Sequence, residues 1–243
     1  RRVTQLLYGE AFEIEKADGP FILGSCKTDN YQGWVHQDCL TDATWLPTHF
    51  VDSLWAPIFP KAGFKNWAMV TLPFLSRIEI DAEKTEGDYA YVPSLRGYIH
   101  NNHIKPLADL STDSCDFVEI AQRFMEVPYQ YGGRSPSGVD CASLVQLALM
   151  RAGISCPRDT DQQEHDNALG DTVDFGSDPE NPHGLQRGDL VYLKGHVGIM
   201  LDEGNILNAT ARSMLVQIEP LADFIKAYKD QELVIQTIRR PNI

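Results

Sequence analysis

Cys141, His196 and Asn208 are side chains whose types and chain order suit nucleophilic catalysis. Cys141 opens the segment CASLVQLALMRAG, which predicts a largely buried helix that begins at the cysteine and ends at Gly153. A helix N-terminus carries partial positive charge and unpaired N–H groups, and both favour the thiolate, which is the nucleophilic form of cysteine. Asp140 stands just before the helix and could cap it, but its negative charge would oppose the thiolate. A base must therefore assist the sulfur.

His196 is the candidate base, and Asn208 is its candidate partner. His196 begins a predicted strand in KGHVGIML, where a rigid backbone would hold the ring in place. Asn208 lies on the next predicted strand, in ILNAT, and its oxygen could accept from one ring nitrogen while the other faces the thiol. The hairpin register, which places the two residues directly or diagonally opposite, is left open. The order Cys, His, Asn is that of papain-like enzymes.

Ordinary structural roles remain open for these residues and for two other motifs. A lone cysteine is usually a buried structural residue, and a lone histidine is usually a surface or satisfied core residue. The HNNH run at 100–103 has no acidic partner at ligand spacing, which favours a surface loop over a metal site. The Gly132–Gly133 pair lacks the lysine and Ser/Thr of a phosphate-binding loop. We therefore expect no metal and no cofactor.

The amino-acid composition and net charge limit the kinds of molecule that the protein is expected to bind. The 243 residues carry a net charge of −13, from 34 acidic and 21 basic side chains, which disfavours nucleic acid and anionic membrane surfaces. No apolar run approaches the ~18–20 residues that cross a bilayer. Five cysteines without a C-x-x-C pair indicate reduced thiols rather than a disulfide framework. We expect a cytoplasmic protein with a small substrate, or an exported one if a signal once preceded Arg1.

The residue pattern along the chain predicts two kinds of domain. Short strand-like runs separated by turn clusters predict two small β-barrels over residues 1–50 and 51–108, with Trp34 in a barrel core and a proline-rich stretch at 45–60 as a linker. Residues 109–243 begin with a helix over 116–126, capped by Asp113 or Ser114, and continue with the helix that starts at Cys141. Antiparallel strands follow, which is an α+β pattern.

Four segments resemble the NlpC/p60 family of cell-wall cysteine peptidases. They are VPYQYGGRSPSGVDCASLVQLAL, PRDTDQQ, RGDLVYLKGHVGIML and ILNAT. The resemblance implies a papain-like domain that cleaves γ-D-glutamyl bonds to a diamino acid in peptidoglycan stem peptides, with Cys141 as nucleophile and His196 as base. Asn208 stands where the family most often has a histidine, so it could orient His196 but could not share its charge. Tyr129, in P-Y-x-x-G-G, matches a donor on the oxyanion side.

The N-terminal half resembles bacterial SH3-like domains, through TQLLYGEAFEI and DNYQGWVHQDCL, with a looser match over 51–108. This layout is similar to that of recycling-type γ-D-glutamyl-L-diamino acid endopeptidases, in which the first SH3-like domain closes one end of the groove. The resemblance assigns Asp159 to the free amine of the substrate's L-Ala, Thr160 to an added hydrogen bond, and Glu10, Tyr31 and Tyr131 to the same pocket. A helix N-cap remains the alternative for Asp159, and a solvated surface position remains the alternative for Glu10.

Three functions follow as hypotheses from these observations. The leading one is a cysteine endopeptidase acting on the murein peptide L-Ala-γ-D-Glu-diamino acid during cell-wall recycling. The second is an amidase or acyltransferase on the same domain, because a fold does not fix its substrate. The third is a non-catalytic wall-binding protein in which the SH3-like units carry the function. None of the three involves nucleic acid or a membrane.

Overall fold

The computed structural model describes residues 1–111, 113 and 115–242. The chain divides into two compact units: one holds residues 5–109, and the other holds residues 1–4 together with 110–243. None of the helices in the described ranges is both long and apolar enough to cross a membrane.

The unit of residues 5–109 is built from antiparallel strands. Three of its sheets have three strands, in the orders β1-β2-β3, β11-β4-β7 and β10-β9-β8, and β5 pairs with β6. The strands are β1 (Phe12–Asp18), β2 (Phe21–Cys26), β3 (Gln32–His36), β4 (His49–Val51), β5 (Trp55–Ile58), β6 (Val70–Pro73), β7 (Arg77–Ile78), β8 (Asp81–Glu86), β9 (Tyr89–Val92), β10 (Gly97–His100) and β11 (Ile104–Pro106). The β-rich character of this half is confirmed, whereas its division into two barrels near residue 50 stays a prediction.

Two expectations for this unit are wrong. The proposed linker at 45–60 contains β4 and β5, and Pro57 lies within β5, where it pairs with Thr71. Proline is tolerated there because a two-stranded sheet has only edge strands, which need not donate on both sides. Trp34 is not in a core, since 49% of its surface is exposed and the Lys16 ammonium lies 5.5 Å from its ring.

The second unit combines helices with one large antiparallel sheet, which confirms the α+β expectation. The sheet has six strands in the order β14-β19-β15-β16-β17-β18. The helices and strands of this unit, in chain order, are α1 (Phe117–Gln122), β12 (Arg134–Ser135), β13 (Gly138–Val139), α2 (Cys141–Arg151), α3 (Thr160–His165), β14 (Asp171–Thr172), β15 (Leu190–Leu193), β16 (His196–Met200), β17 (Asn205–Thr210), β18 (Leu215–Pro220), α4 (Leu221–Lys229) and β19 (Ile235–Arg240).

Helix α2 begins and ends where the sequence predicts. Nearly all of its side chains are buried, and it packs against β16 and β17. Gly153 follows with φ of +75°, the left-handed conformation that glycine adopts without strain at a helix C-terminus. Helix α1 is capped by Asp116, whose carboxylate accepts from the Val118 amide at 2.8 Å, and not by Asp113; Ser114 lies outside the described residues.

Helix α4 covers the core that supports the sheet. Leu221, Phe224 and Tyr228 recur at helical spacing, and all three are buried. They pack with a set of apolar side chains from the strands and the preceding loop: Leu185, Val191, Leu193, Met200, Ile206, Ile235 and Ile238. The fold therefore brings the C-terminal helix next to the strand that begins at His196.

Candidate active site

The Cys141 thiol lies against the backbone on both sides of His196. Cys141 is the first residue of α2 and only 6% exposed. Its Sγ is 4.0 Å from the carbonyl oxygen of Gly195, and the Val197 amide is placed to hydrogen-bond the thiolate. Gly195, with φ of +74°, forms the tight turn between β15 and β16 that brings this backbone back to the helix. The Cys141 thiol therefore lies against the backbone that leads into and out of His196.

The register of the β16–β17 hairpin places Asn208 diagonally from His196. Ile199 pairs with Leu207 and Met200 with Ile206, around a turn over residues 202–204. The Asn208 Oδ1 atom lies 3.3 Å from His196 Nε2. Because Nε2 is held in this way, Nδ1 is the ring nitrogen available to the thiol.

Asp140 is a buried helix cap whose charge is offset by Arg158. Its Oδ1 accepts from the Ser143 amide at 2.8 Å, and the Ser143 hydroxyl accepts from the Asp140 amide at 3.0 Å, which completes a capping box. Arg158, 1% exposed, donates to both carboxylate oxygens at 3.1 and 2.6 Å. The Gly132 amide also donates to Asp140, at 2.9 Å. The charge that would oppose a thiolate is thus paired in a fixed geometry.

Burial favours the neutral forms of both reacting groups. It raises the pKa of the Cys141 thiol to about 12, with a further contribution from Asp140, while the Val197 and Ala142 amides act in the opposite direction. It also lowers the pKa of the His196 imidazole to about 4, although the hydrogen bond to Asn208 partly opposes the shift. The cost of burying a charge therefore outweighs the stabilisation of the thiolate that the helix N-terminus was expected to provide. The site therefore holds Cys141 as a thiol and His196 as a neutral imidazole.

Tyr129 keeps its proton near Cys141. Its backbone is fixed by a 2.8 Å hydrogen bond from its amide to the Met214 carbonyl. Burial, followed by the nearby Cys141, raises the pKa of its hydroxyl to about 12. A phenol with this pKa can donate a hydrogen bond throughout the neutral pH range. Tyr131 differs, because it is 52% exposed and the Arg1 guanidinium stacks 4.3 Å from its ring.

Asp159 and Thr160 begin α3. Asp159 occupies the N-cap position with extended backbone angles, φ −99° and ψ 148°, but its side chain makes no capping hydrogen bond to the described first turn. The N-cap alternative therefore accounts for its backbone and not for its carboxylate. Both residues are half-buried. Their roles in substrate binding stay predictions.

Glu10 and Tyr31 belong to the unit of residues 5–109. The Glu10 carboxylate accepts from the Leu7 amide at 2.8 Å, and the residue is half-buried. The Tyr31 amide donates to Asp29 at 3.1 Å, and its carbonyl accepts from the Cys26 amide at 3.0 Å. Their assignment to a substrate pocket stays a prediction.

Polar residues that the sequence did not single out surround His196. The Tyr228 ring stacks on the imidazole with centroids 4.6 Å apart, and its hydroxyl lies 2.9 Å from Nε2. Glu219 accepts from the Asn208 amide at 2.9 Å and also pairs with Arg212. Tyr228 could have been noticed from its spacing to Phe224, whereas Glu219 lies on β18, a strand that was not predicted. Among the described residues, no cluster of His, Cys, Asp and Glu is arranged to hold a metal ion.

Two family models match the chain. The model described as the NlpC/P60 family matches residues 126–234, and the model described as the bacterial dipeptidyl-peptidase Sh3 domain matches residues 1–40. The first match contains Cys141, His196 and Asn208.

Curated relatives and one solved structure are similar to the chain over most of its length. Dipeptidyl-peptidase 6 of Lysinibacillus sphaericus is 23% identical over 93% of this chain and 87% of its own. A gamma-D-glutamyl-L-lysine dipeptidyl-peptidase of Bacillus cereus is 24% identical over 79% of this chain and 60% of its own. The crystal structure of an NlpC/P60 family protein from Bacillus cereus has a TM-score of 0.76 at 22% identity, covering 98% of this chain and 81% of that one. The shared fold is a papain-like domain that follows a β-rich, SH3-like region along the chain.

Proposed function

Because this chain contains an NlpC/P60 domain and a bacterial dipeptidyl-peptidase Sh3 domain, we propose that it is a cysteine endopeptidase of peptidoglycan peptides. Its proposed target is the bond between γ-D-Glu and an L-diamino acid in peptides with a free N-terminal L-Ala. The observation that carries the proposal is the contact of the Cys141 thiol with the backbone flanking His196, whose Nε2 is held by Asn208. Two of the relatives are named as dipeptidyl-peptidases, and a dipeptidyl-peptidase activity agrees with cleavage after the second residue.

The first step is attack by sulfur with transfer of its proton. Since the thiol and the imidazole are both neutral at rest, His196 Nδ1 takes the proton as Cys141 Sγ bonds to the γ-carbonyl carbon. The carbonyl π electrons move onto oxygen. The Tyr129 hydroxyl, which remains protonated, donates to that oxyanion.

The second step releases the diamino acid and regenerates the enzyme. The imidazolium of His196 protonates the departing amine as the C–N bond breaks, leaving a thioester between Cys141 and the γ-glutamyl carbon. Water then attacks the thioester while His196 accepts one of its protons. The thiol returns, and L-Ala-γ-D-Glu leaves as the free acid.

Selectivity for peptides with a free amine is assigned to Asp159. An ammonium paired with this half-buried carboxylate would lose its charge if the amine were acylated, as it is when the peptide is joined to glycan. Thr160 would add a hydrogen bond to the same peptide, and Tyr131 would form a wall of the pocket. Such a preference suits the recycling of released peptides, with the cytoplasm as the proposed location.

Replacing the nucleophile tests the proposal directly. We expect Cys141→Ala to abolish release of L-Ala-γ-D-Glu from L-Ala-γ-D-Glu-L-Lys and from its diaminopimelate counterpart, as followed by mass spectrometry. Cys39→Ala is the matched control, because Cys39 is exposed and outside the NlpC/P60 match. Retained activity in Cys141→Ala would end the proposal.

A second arm of the same assay tests the finer assignment with N-acetylated peptide. We expect acetylation to lower kcat/KM by about two orders of magnitude or more if the amine is desolvated against Asp159. An unchanged rate would remove Asp159 as the amine-binding residue and would favour the amidase or acyltransferase hypothesis.

A further inference from the structure

Glu219 forms a second layer behind the imidazole, on the far side of Asn208. The Asn208 Nδ2 atom donates to Glu219 Oε1 at 2.9 Å. Gln217 donates to the same oxygen at 3.2 Å, and the Arg212 guanidinium forms an ion pair with it. Only 11% of the Glu219 side chain is exposed. The β17–β18 pairing, with Asn208 opposite Gln217, holds these groups in register.

This carboxylate fixes the direction in which the Asn208 amide points. Burial alone would raise the pKa of Glu219, but hydrogen bonds from Arg212, Asn208 and Gln217 hold it below its ordinary value. An ionised carboxylate only accepts hydrogen bonds, so the NH₂ group of Asn208 must face it. The Asn208 oxygen then faces His196 Nε2, 3.3 Å away. Because Asn208 is fully buried, its oxygen needs a donor, and protonated Nε2 is that donor.

The Tyr228 hydroxyl is compatible with this proton arrangement. Its oxygen lies 2.9 Å from Nε2 and 3.1 Å from the Thr210 hydroxyl. When Tyr228 donates to Thr210, its own oxygen is free to share the Nε2 proton. The lone pair of the ring is then on Nδ1, where the thiol proton must arrive.

We propose that Glu219 is a positioning residue for the base: through Asn208 it holds His196 in the Nε2–H tautomer and adds negative charge that stabilises the imidazolium. Asparagine cannot share the charge that the family's usual histidine could, and here a carboxylate lies one residue further out. The catalytic consequence rests on the proposed peptidase function, whereas the tautomer does not. The ionisable groups that contact or act on the ring are Tyr228 from α4, Glu219 from β18 and Arg212 from the β17–β18 turn, and Cys141 from α2 acts on Tyr228.

The first experiment compares Glu219→Gln with Glu203→Gln. Glutamine keeps the shape of glutamate, removes the charge and allows the Asn208 amide to turn. With L-Ala-γ-D-Glu-L-Lys as substrate, we expect kcat to fall on the order of tenfold or more while KM changes little. Glu203 is an exposed glutamate in the turn between β16 and β17, so Glu203→Gln makes the same charge change and should retain wild-type kinetics.

A spectroscopic readout separates positioning from a loss of structure. In protein with ¹⁵N-labelled histidine, we expect the His196 ring to show a protonated Nε2 and an unprotonated Nδ1 at neutral pH. Glu219→Gln should give a mixture of tautomers with unchanged thermal unfolding, because β18 lies at the edge of its sheet.

A third experiment moves the carboxylate from position 219 to position 208 and asks whether activity returns. In the Glu219→Gln background, Asn208→Asp puts a carboxylate directly on Nε2, and the new glutamine amide can donate to it. We expect this double variant to recover most of the lost kcat and the single tautomer.

Three outcomes would overturn the proposal: wild-type kcat in Glu219→Gln, an Nδ1–H tautomer in the native protein, or no recovery in the double variant. If the native protein cleaves none of the peptides but shows the Nε2–H tautomer that Glu219→Gln disrupts, the proposed peptidase function fails and the positioning role stands.

Discussion

A carboxylate–arginine pair lies near each of the two candidate catalytic residues, but the carboxylates of the two pairs have opposite consequences. Asp140 and Arg158 lie next to Cys141, the candidate nucleophile, with 10% and 1% of their side chains exposed. Glu219 and Arg212 lie beyond Asn208 from His196, the candidate base, with 11% and 27% exposed. Asp140 raises the pKa of the thiol and so opposes thiolate formation, whereas Glu219 raises the pKa of the imidazole and so favours the imidazolium.

The difference explains why the two arginines have different tasks. Asp140 is needed as the cap of α2, and its charge is tolerable next to sulfur because Arg158 binds both carboxylate oxygens. At the candidate base, the Glu219 charge raises the pKa of the imidazole, and the Arg212 charge lowers it by the larger amount. The comparison predicts that removing Arg158 mainly lowers the free energy of unfolding. Removing Arg212 should mainly change the pKa of His196.

The largest effect is expected for Arg158→Met. It leaves Asp140 buried without its charge partner, which should lower the free energy of unfolding by about 3–5 kcal/mol. Urea unfolding measures this loss. Arg187→Met is the control, since the Arg187–Asp116 pair is 42% and 39% exposed and such pairs contribute roughly 0–1 kcal/mol.

Adding Asp140→Asn to Arg158→Met sharpens that test. The double variant removes both charges, so it should be more stable than Arg158→Met alone, although it loses the hydrogen bonds of the pair. If the second substitution lowers stability further by its full single-variant effect, the two charges are not coupled and the comparison fails on the nucleophile side.

The next largest effect should be a loss of folding stability at acid pH that is caused by the protonation of His196. Its pKa is about 4 in the folded protein, below the ordinary 6.5, so between these pH values the unfolded chain binds more protons than the folded one. Stability should therefore fall as the pH drops through this window, by on the order of 3 kcal/mol from this group. His196→Gln should lose that part of the pH dependence, as measured by unfolding at pH 4 and pH 7. Equal slopes in both proteins would show that the imidazole is not buried in its neutral form.

Local patterns were enough to locate the elements that carry the three candidate residues. The apolar run after Cys141 predicted α2, and Gly153 marked its end, because helical periodicity and left-handed glycine are properties of neighbouring residues. The strand that begins at His196 was predicted from its neighbouring residues in the same way. The diagonal placement of Asn208 required the register of β16 and β17, which two alternative turn lengths left open.

Partners brought together by the fold were not predictable. Arg158 is adjacent to Asp159 in the sequence, yet nothing local distinguishes a buried arginine from an exposed one. Glu219 lies on β18, where the alternation of buried and exposed residues is weak, and its role depends on facing Asn208 across the sheet. The neutral state of the thiol and imidazole was also missed, because desolvation depends on packing from distant segments.

The smallest expected effect, from Arg212→Met, tests the base side of the comparison. Arg212 lowers the pKa of His196 and pairs with Glu219, so its removal should raise the pKa of the imidazole by less than about one unit. Histidine NMR would detect the change, and the acidic limb of kcat/KM should move to higher pH by the same amount. The unfolding free energy should change much less than in Arg158→Met, since Arg212 is more exposed than Arg158 and water can solvate Glu219 after the substitution. A shift to lower pH would mean that Arg212 acts mainly by holding Glu219 against Asn208, and that its own positive charge matters less to the imidazole than the geometry it maintains.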